Sequence, residues 1–267
     1  MKNFLQVISL ITLVSLPILT PISLSAQENI MKVLSYNVYH GEDPLNPGNS
    51  NLDSIADFIN QLGPDLVLLQ EVDSMTTRSA SIYGVKTDLL ELLALKTGMK
   101  SYFAKAMDYA EGGYGEGILF KKGISSESII LPTPAGGEPR AMAWVEVEIA
   151  GKQIGVGGTH LCHQFEDNRA AQVNAILEFT SKKEISVIWG GDLNFKPSDP
   201  EYSQFPSKWS DAARLSNNNL PTYSSSNDSG RIDYIWFESD QFELVEYQVF
   251  QVNYSDHFPV VATFKIK

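Results

Sequence analysis

With 267 residues, 43% hydrophobic and 19% charged, the chain supports a globular fold with a sizeable core, and no repeat, Pro/Ser linker or low-complexity segment divides it. Twenty Lys and Arg against 32 Asp and Glu give a formal net charge of −12, which argues against long, non-specific contact with a nucleic-acid backbone. A single cysteine, Cys162, excludes an internal disulfide and reads as a small core residue.

The chain opens with Lys2, an apolar stretch from Val7 to Leu19, and small residues before Gln27. This pattern is that of a secretory signal peptide over residues 1–26, cleaved near Ala26. Pro17 and Pro21 interrupt it and it is short for a membrane span. Residues 27–267 are expected to form a single domain, exported to the periplasm or the medium, with no stable membrane span after cleavage and monomeric by default.

The first strand is expected at "MKVLSYNVY". A helix follows at "LDSIADFINQLG", where Leu52, Ile55, Phe58, Ile59 and Leu62 recur at helical spacing before Gly63-Pro64. "DLVLLQEV" is a buried strand and "TDLLELLALKTG" a helix stopped by Gly98. "GEGILFKKG" and "RAMAWVEVEIAGKQIGVGGTHL" supply three strands, the last two joined at Ala150-Gly151. "DNRAAQVNAILEFTSKK" is a helix capped by Asp167 or Asn168. Strands are expected again at "SVIWGGDLN", "RIDYIWF", "FELVEYQVF" and "HFPVVATFKI", with polar loops at 41–51, 107–115, 132–139, 196–210 and 216–230. Buried strands interrupted by one-faced helices imply an α/β fold of two packed sheets with helices outside. Trp144, Trp189 and Trp236 fall in strands and belong to the core.

Polar residues gather at the strand ends. Asn37 follows "LSY", Glu71 follows "DLVLLQ", Glu116 opens "GILF", His160 ends "IGVGGT", and Asp192 and Asn194 end "VIWGG". Asp233 sits inside "RIDYIWF", and Asp256-His257 opens "FPVVATF". One strand-end Asp or Asn is commonly a turn former, but a carboxylate inside "IDYIW" must be paired to be tolerated. The segments around these acids offer mostly His and few Lys or Arg, which points to a hard divalent cation, Mg²⁺ or Mn²⁺, rather than zinc.

"SYNVYHGE", "LLQEVD", "YGEGILF", "GTHL", "GGDLN", "RIDYI" and "YSDHFPV", in this order, resemble the endonuclease/exonuclease/phosphatase superfamily, in a secreted bacterial form. The resemblance covers essentially the whole chain after the leader. It implies a four-layer α/β/β/α sandwich, two mixed sheets flanked by helices as in deoxyribonuclease I, with one metal-dependent phosphoesterase site. On this resemblance Glu71, assisted by Asn37, holds the metal, and Asp256 supports it. Asp192 orients or deprotonates the attacking water and Asn194 fixes phosphate or water. Asp233 holds His257 in one tautomer, while His160 faces that pair across the phosphate and bonds Glu116. Tyr114 matches a phosphate-contacting tyrosine. Arg140 and Arg78 suit bidentate phosphate recognition, and His40, three residues past Asn37, falls near the metal.

Nuclease members commonly carry an arginine after the "QEV" motif. Here that position is Asp73, expected to repel a phosphate chain, with Arg78 as a substitute cation. The expected activity is hydrolysis of a small phosphomonoester or phosphodiester: a sugar, inositol or lipid-headgroup phosphate. Nuclease action on DNA or RNA is the alternative, and a non-catalytic phosphate- or metal-binding module a more distant one.

Overall fold

The computed structural model describes residues 29–224 and 229–267. The leader expected over 1–26 lies outside the described residues, as does part of the 216–230 loop. In chain order the strands are β1 (Ile30–Asn37), β2 (Leu66–Ser74), β3 (Lys100–Tyr109), β4 (Gly112–Phe120), β5 (Gly123–Leu131), β6 (Arg140–Ile149) and β7 (Lys152–His160). They continue as β8 (Ser186–Asp192), β9 (Trp209–Asp211), the short β10 (Tyr223–Ser224) and β11 (Ser229–Gly230), β12 (Asp233–Glu238), β13 (Phe242–Val249) and β14 (Val260–Ile266). The helices are α1 (Leu52–Leu62), α2 (Thr77–Tyr83), α3 (Leu89–Thr97), α4 (Glu166–Ser181) and α5 (Ala212–Leu215).

Two six-stranded mixed sheets result, ordered β13-β14-β1-β2-β4-β3 and β5-β6-β7-β8-β12-β9. Alternation along β2 shows how they stack. Leu66 and Leu68 face the core between the sheets, with Val156, Ile188 and Ile235 opposite, while Val67 and Leu69 join Ile55, Ile59, Leu90 and Leu93 of α1 and α3. On the far side, Val173 and Ile176 of α4 cover Trp144, Trp189 and Trp236 of the second sheet. The four layers are those expected. No helix among the described residues is long and apolar enough to cross a membrane.

Several elements depart from expectation. β3 and β5 were not legible as strands: β5 is an edge strand exposed along most of its length, so its Ser-Ser-Glu-Ser stretch needs no apolar alternation. The 107–115 loop is a hairpin, with β3 and β4 turning at Ala110 and Glu111, both at positive φ. Helix α4 starts after Phe165, and neither Asp167 nor Asn168 caps it. Asn168 is instead buried within the helix, where its Oδ1 accepts from Ala135 N at 2.8 Å and its Nδ2 donates to Gly136 O at 2.7 Å.

The two glycines before Asp192 have a steric cause. A Cβ at Gly190 would fall on the carbonyl oxygen of Tyr234, and one at Gly191, at φ +144°, on that of Thr159. Neighbouring strands close on β8 from both sides there. Gly191→Ala is therefore expected to open the β7–β8 ladder, destabilise the fold by about 3 kcal/mol or more and displace Asp192. Thermal unfolding measures the first effect, and a crystal structure of the variant the second.

Candidate active site

Sheet register brings the first three groups together. On the second sheet His160 pairs with Asp192 across the parallel β7–β8 ladder, and Asp233 pairs with Asp192 across the antiparallel β8–β12 ladder. Residues opposite one another point to the same face, so one strand-end row carries an imidazole and two carboxylates. On the first sheet, β1 ends at Asn37, and β2 is bulged between Leu69 and Val72. Glu71 sits in that bulge at φ +60°, which turns its carboxylate out of the strand's alternation.

The two sheets meet at these ends. Asn37 Nδ2 donates to Glu71 Oε1 at 3.0 Å and to Asp192 Oδ2 at 3.1 Å, while Asn37 Oδ1 accepts from Tyr39 N at 3.1 Å. Asn37, expected to assist Glu71 in holding a metal, thus ties Glu71 and Asp192 together through its amide N–H groups. Asp192 Oδ2 also lies 3.4 Å from His160 Nε2 and 3.5 Å from His257 Nε2. His257 Nδ1 is held by Asp233 Oδ2 at 2.9 Å, and the Tyr223 ring packs on its imidazole with centroids 4.9 Å apart. Asn194, at φ +53°, donates its backbone N–H to Asp192 Oδ1 at 3.0 Å and its Nδ2 to Leu161 O at 3.1 Å.

These groups open into a cavity of about 430 Å³ lined by Glu71, Tyr114, Arg140, His160, Asp192, Asn194, Asp256 and His257, among others. Burial pushes the Asp192 carboxyl up to about 7, with Asp233 adding to the shift and His257 and Asn37 opposing it. Burial opposes a charge on His257, but Asp233 and Asp192 override it and push the imidazole up to about 10. His160 goes the other way: burial, with the Arg140 guanidinium beside it, holds it well below the ordinary histidine value. At Glu71 burial is outweighed by His40, His160, Asn37 and His257, and the carboxyl is held far below its usual range. Burial raises Asp256. The site thus holds a cationic and a neutral imidazole on either side of one carboxylate near neutrality.

The donor chemistry fits a hard divalent cation. Glu71, Asp192 and Asp256 line one cavity, and ligand atoms of Asp192, Asp233 and His257 lie within 4.8 Å of one another. Asp233 Oδ1 is buried without a hydrogen-bond partner among the described residues. Such a concentration of carboxylates is relieved by a doubly charged ion.

Four expectations need correction. Glu116 neither bonds His160 nor reaches the cavity. It shares the inter-sheet face of β4 with Ile118 and is fully buried, its carboxylate oxygens without partners among the described residues. The Nδ1 side of His160 is taken by Arg140 Nη1 at 3.4 Å, which, as a donor, leaves the imidazole proton on Nε2. His40 Nδ1 lies 3.8 Å from Glu71 Oε2, but its Nε2 is engaged by Glu42 at 2.8 Å and it does not line the cavity. Arg78 is not a phosphate clamp: Asp73 binds its Nε at 2.9 Å and its Nη2 at 2.6 Å, and its guanidinium stacks over Tyr109. Asp73 is itself fully buried, so the repulsion of a phosphate chain expected from it does not arise. Arg78→Met should cost about 3 kcal/mol by stranding that carboxylate while leaving KM for a phosphoester unchanged; denaturant unfolding and steady-state kinetics separate the two.

Glu138, Lys196, Asp199 and Tyr223 also line the cavity and were not singled out, and so does His163, which from the sequence reads as a surface or helix-entry residue. Arg140 Nη2 bonds Glu138 Oε2 at 2.9 Å and approaches His163 Nδ1 at 3.2 Å. Glu138 and His163 lie two and three residues from Arg140 and His160, and Lys196 two from Asn194. Following the strand-end logic that far into the loops would have found them. Tyr223, in a Ser- and Asn-rich loop, carries no such signal.

A family profile described as Endonuclease/Exonuclease/phosphatase family matches residues 34–257. No curated protein matches the chain by sequence. An endonuclease/exonuclease/phosphatase structure from Beutenbergia cavernae superimposes with a TM-score of 0.72 at 20% identity, covering 89% of this chain and 72% of that one. A mannosyl-6-phosphatase from Bacteroides thetaiotaomicron gives 0.71 at 18% identity, covering 88% and 99%. The human Nocturnin catalytic domain, with a bound sulfate, gives 0.70 at 21% identity, covering 89% and 94%.

Proposed function

The chain belongs to the endonuclease/exonuclease/phosphatase family, whose members hydrolyse phosphoester bonds, and on that premise we propose that it is a divalent-metal-dependent phosphoesterase acting on a small phosphomonoester or phosphodiester. One observation carries the proposal: Asp192 Oδ2 is approached within 3.5 Å by Asn37, His160 and His257, in a cavity that also presents Glu71, Asp256 and Arg140. The likeness in fold to a mannosyl-6-phosphatase is in keeping with a small phosphorylated substrate.

Glu71 and Asp256 would hold Mg²⁺ or Mn²⁺, which polarises a phosphoryl oxygen and offsets charge in the transition state. Asp192 takes a proton from the attacking water as its oxygen bonds to phosphorus and the ester P–O bond breaks. The leaving oxygen receives a proton from the His257 imidazolium, which recovers one from Asp192 across 3.5 Å. Asp233 fixes His257 through Nδ1. His160, neutral and protonated on Nε2, donates to a phosphoryl oxygen, as do Arg140 and Tyr114. Donors held in place by the fold need little reorganisation as charge develops.

The protein is further proposed to act as one domain, residues 27–267, after export and cleavage near Ala26; intact mass of protein recovered outside the cytoplasm tests the cut. For the activity, p-nitrophenyl phosphate, bis-p-nitrophenyl phosphate, a sugar phosphate and supercoiled plasmid are compared with Mg²⁺ or Mn²⁺ and with chelator. Chelator-sensitive hydrolysis of at least one small ester is expected. Plasmid nicking without turnover of any small ester would overturn the substrate class, and metal binding without any turnover would make the protein a binding module.

A further inference from the structure

A second cavity, of about 490 Å³, adjoins the first. Tyr223 and Asp256 line both, so it begins beside His257 and leads away from it. Its other walls include Tyr39, Pro44, Leu45, Pro47 and Phe258. Leu45 is 69% exposed, an aliphatic side chain left in solvent at the mouth of a polar site.

The charges lining this cavity have one sign. Glu42 and Asp256 line it and no Lys, Arg or His does. The loop carrying the apolar wall is fixed: Asp43 N donates to Asn49 O at 2.8 Å, Leu45 N to Asp43 Oδ1 at 2.8 Å, and Gly48 N to Glu42 Oε1 at 2.6 Å. The surface is thus formed in advance of any ligand, which lowers the ordering cost of binding.

We infer that this second cavity receives the organic group of the substrate, and that the group is uncharged with an apolar face. The inference rests on the phosphoesterase reading and narrows it. Two prolines, a leucine and three aromatic rings offer dispersion contact, while Glu42, Asn253, Ser255 and Asp256 supply the polar part of the lining. A second phosphate placed there finds no cation among the lining residues, and Glu42 is already engaged by His40 Nε2 at 2.8 Å and Gly48 N at 2.6 Å, so a further anion, on a polyphosphorylated ring or a nucleic-acid strand, is desolvated there without a partner. That is a ground for disfavouring nuclease action, in place of the one Asp73 does not supply.

Binding of non-hydrolysable probes tests this independently of turnover. Calorimetry on Mn²⁺-loaded protein compares phenylphosphonate, methylphosphonate and 4-carboxyphenylphosphonate. Phenylphosphonate is expected to bind about tenfold tighter than methylphosphonate, the contribution of burying one apolar ring face. The carboxylated ring is expected to bind at least threefold more weakly than the plain one. In Leu45→Lys, a surface change that a thermal melt will show to be folded, the phenyl preference should fall at least threefold. Equal affinity for phenyl and methyl probes, or an unchanged preference in Leu45→Lys, overturns the inference and leaves the phosphoesterase reading standing. A carboxylated ring bound as tightly as the plain one overturns the requirement for an uncharged group. Binding of none of the three overturns both.

Discussion

Asp192→Asn is expected to lower kcat by about a thousandfold, equivalent to about 4 kcal/mol of barrier, without unfolding the protein. The carboxylate is central to the site: Asn37 ties it to the first sheet, and both His160 and His257 point their Nε2 atoms at it. Asparagine keeps the shape and one oxygen but cannot take the proton of water. Stability should move in the opposite direction. Burial raises this carboxyl to about 7, above the aspartate value of about 3.9 that holds in the unfolded chain. A folded value above the unfolded one means that the native state binds the extra proton. Stability is therefore fully present at pH below about 4 and is lost as pH rises through 7. Asp192→Asn removes that dependence, so in chelator at pH 8 it should melt above wild type, and a melting series from pH 5 to pH 9 with parallel kinetics would show both effects. A variant that is inactive because it is unfolded, or one that keeps wild-type kcat, contradicts this role.

His257→Ala should cost about two to three orders of magnitude in kcat/KM, and Asp233→Asn should reveal why. His257 is held cationic through neutral pH because Asp233, 2.9 Å from Nδ1, and Asp192, 3.5 Å from Nε2, outweigh its burial. With its value near 10, the imidazolium persists until the solution is strongly alkaline, so the basic limb of the wild-type pH–rate profile should lie high. Asparagine at 233 takes one of the two carboxylate charges away, and that limb should move down by at least one pH unit. A profile unmoved by Asp233→Asn, with only a uniform loss of rate, would reduce Asp233 to a packing role.

Much of this arrangement was legible because strands deliver their final residues to one end of a sheet. Val187-Ile188-Trp189 followed by two glycines announces a buried strand closely approached by its neighbours, and Asp233 on β12 and His160 on β7 fall directly beside Asp192 at its end. The order of seven motifs supplied what local pattern cannot, the meeting of β1 and β2 with β7, β8 and β12. What failed had local causes. An unbroken alternation along β2 would put Glu71 on the helix-covered face with Val67 and Leu69; the bulge turns it to the cavity and, two residues on, Asp73 lies buried against Arg78. A sequence does not mark a bulge that lacks a glycine. Glu116 misled because motif position carries no information about rotamer or about who else reaches His160; Arg140, twenty residues earlier in the chain, does. β5 escaped detection because an exposed edge strand has no buried face to impose a period of two.

The gathering of Glu71, Asp192, Asp256 and His257 at one cation-binding phosphoester site is tested most directly by crystals of the protein soaked in Mn²⁺ and read by anomalous scattering. A peak is expected in the 430 Å³ cavity, within about 2.5 Å of a Glu71 carboxylate oxygen, and it should vanish in Glu71→Gln. A manganese peak elsewhere on the molecule, or none in protein that still hydrolyses phosphoesters, would contradict it.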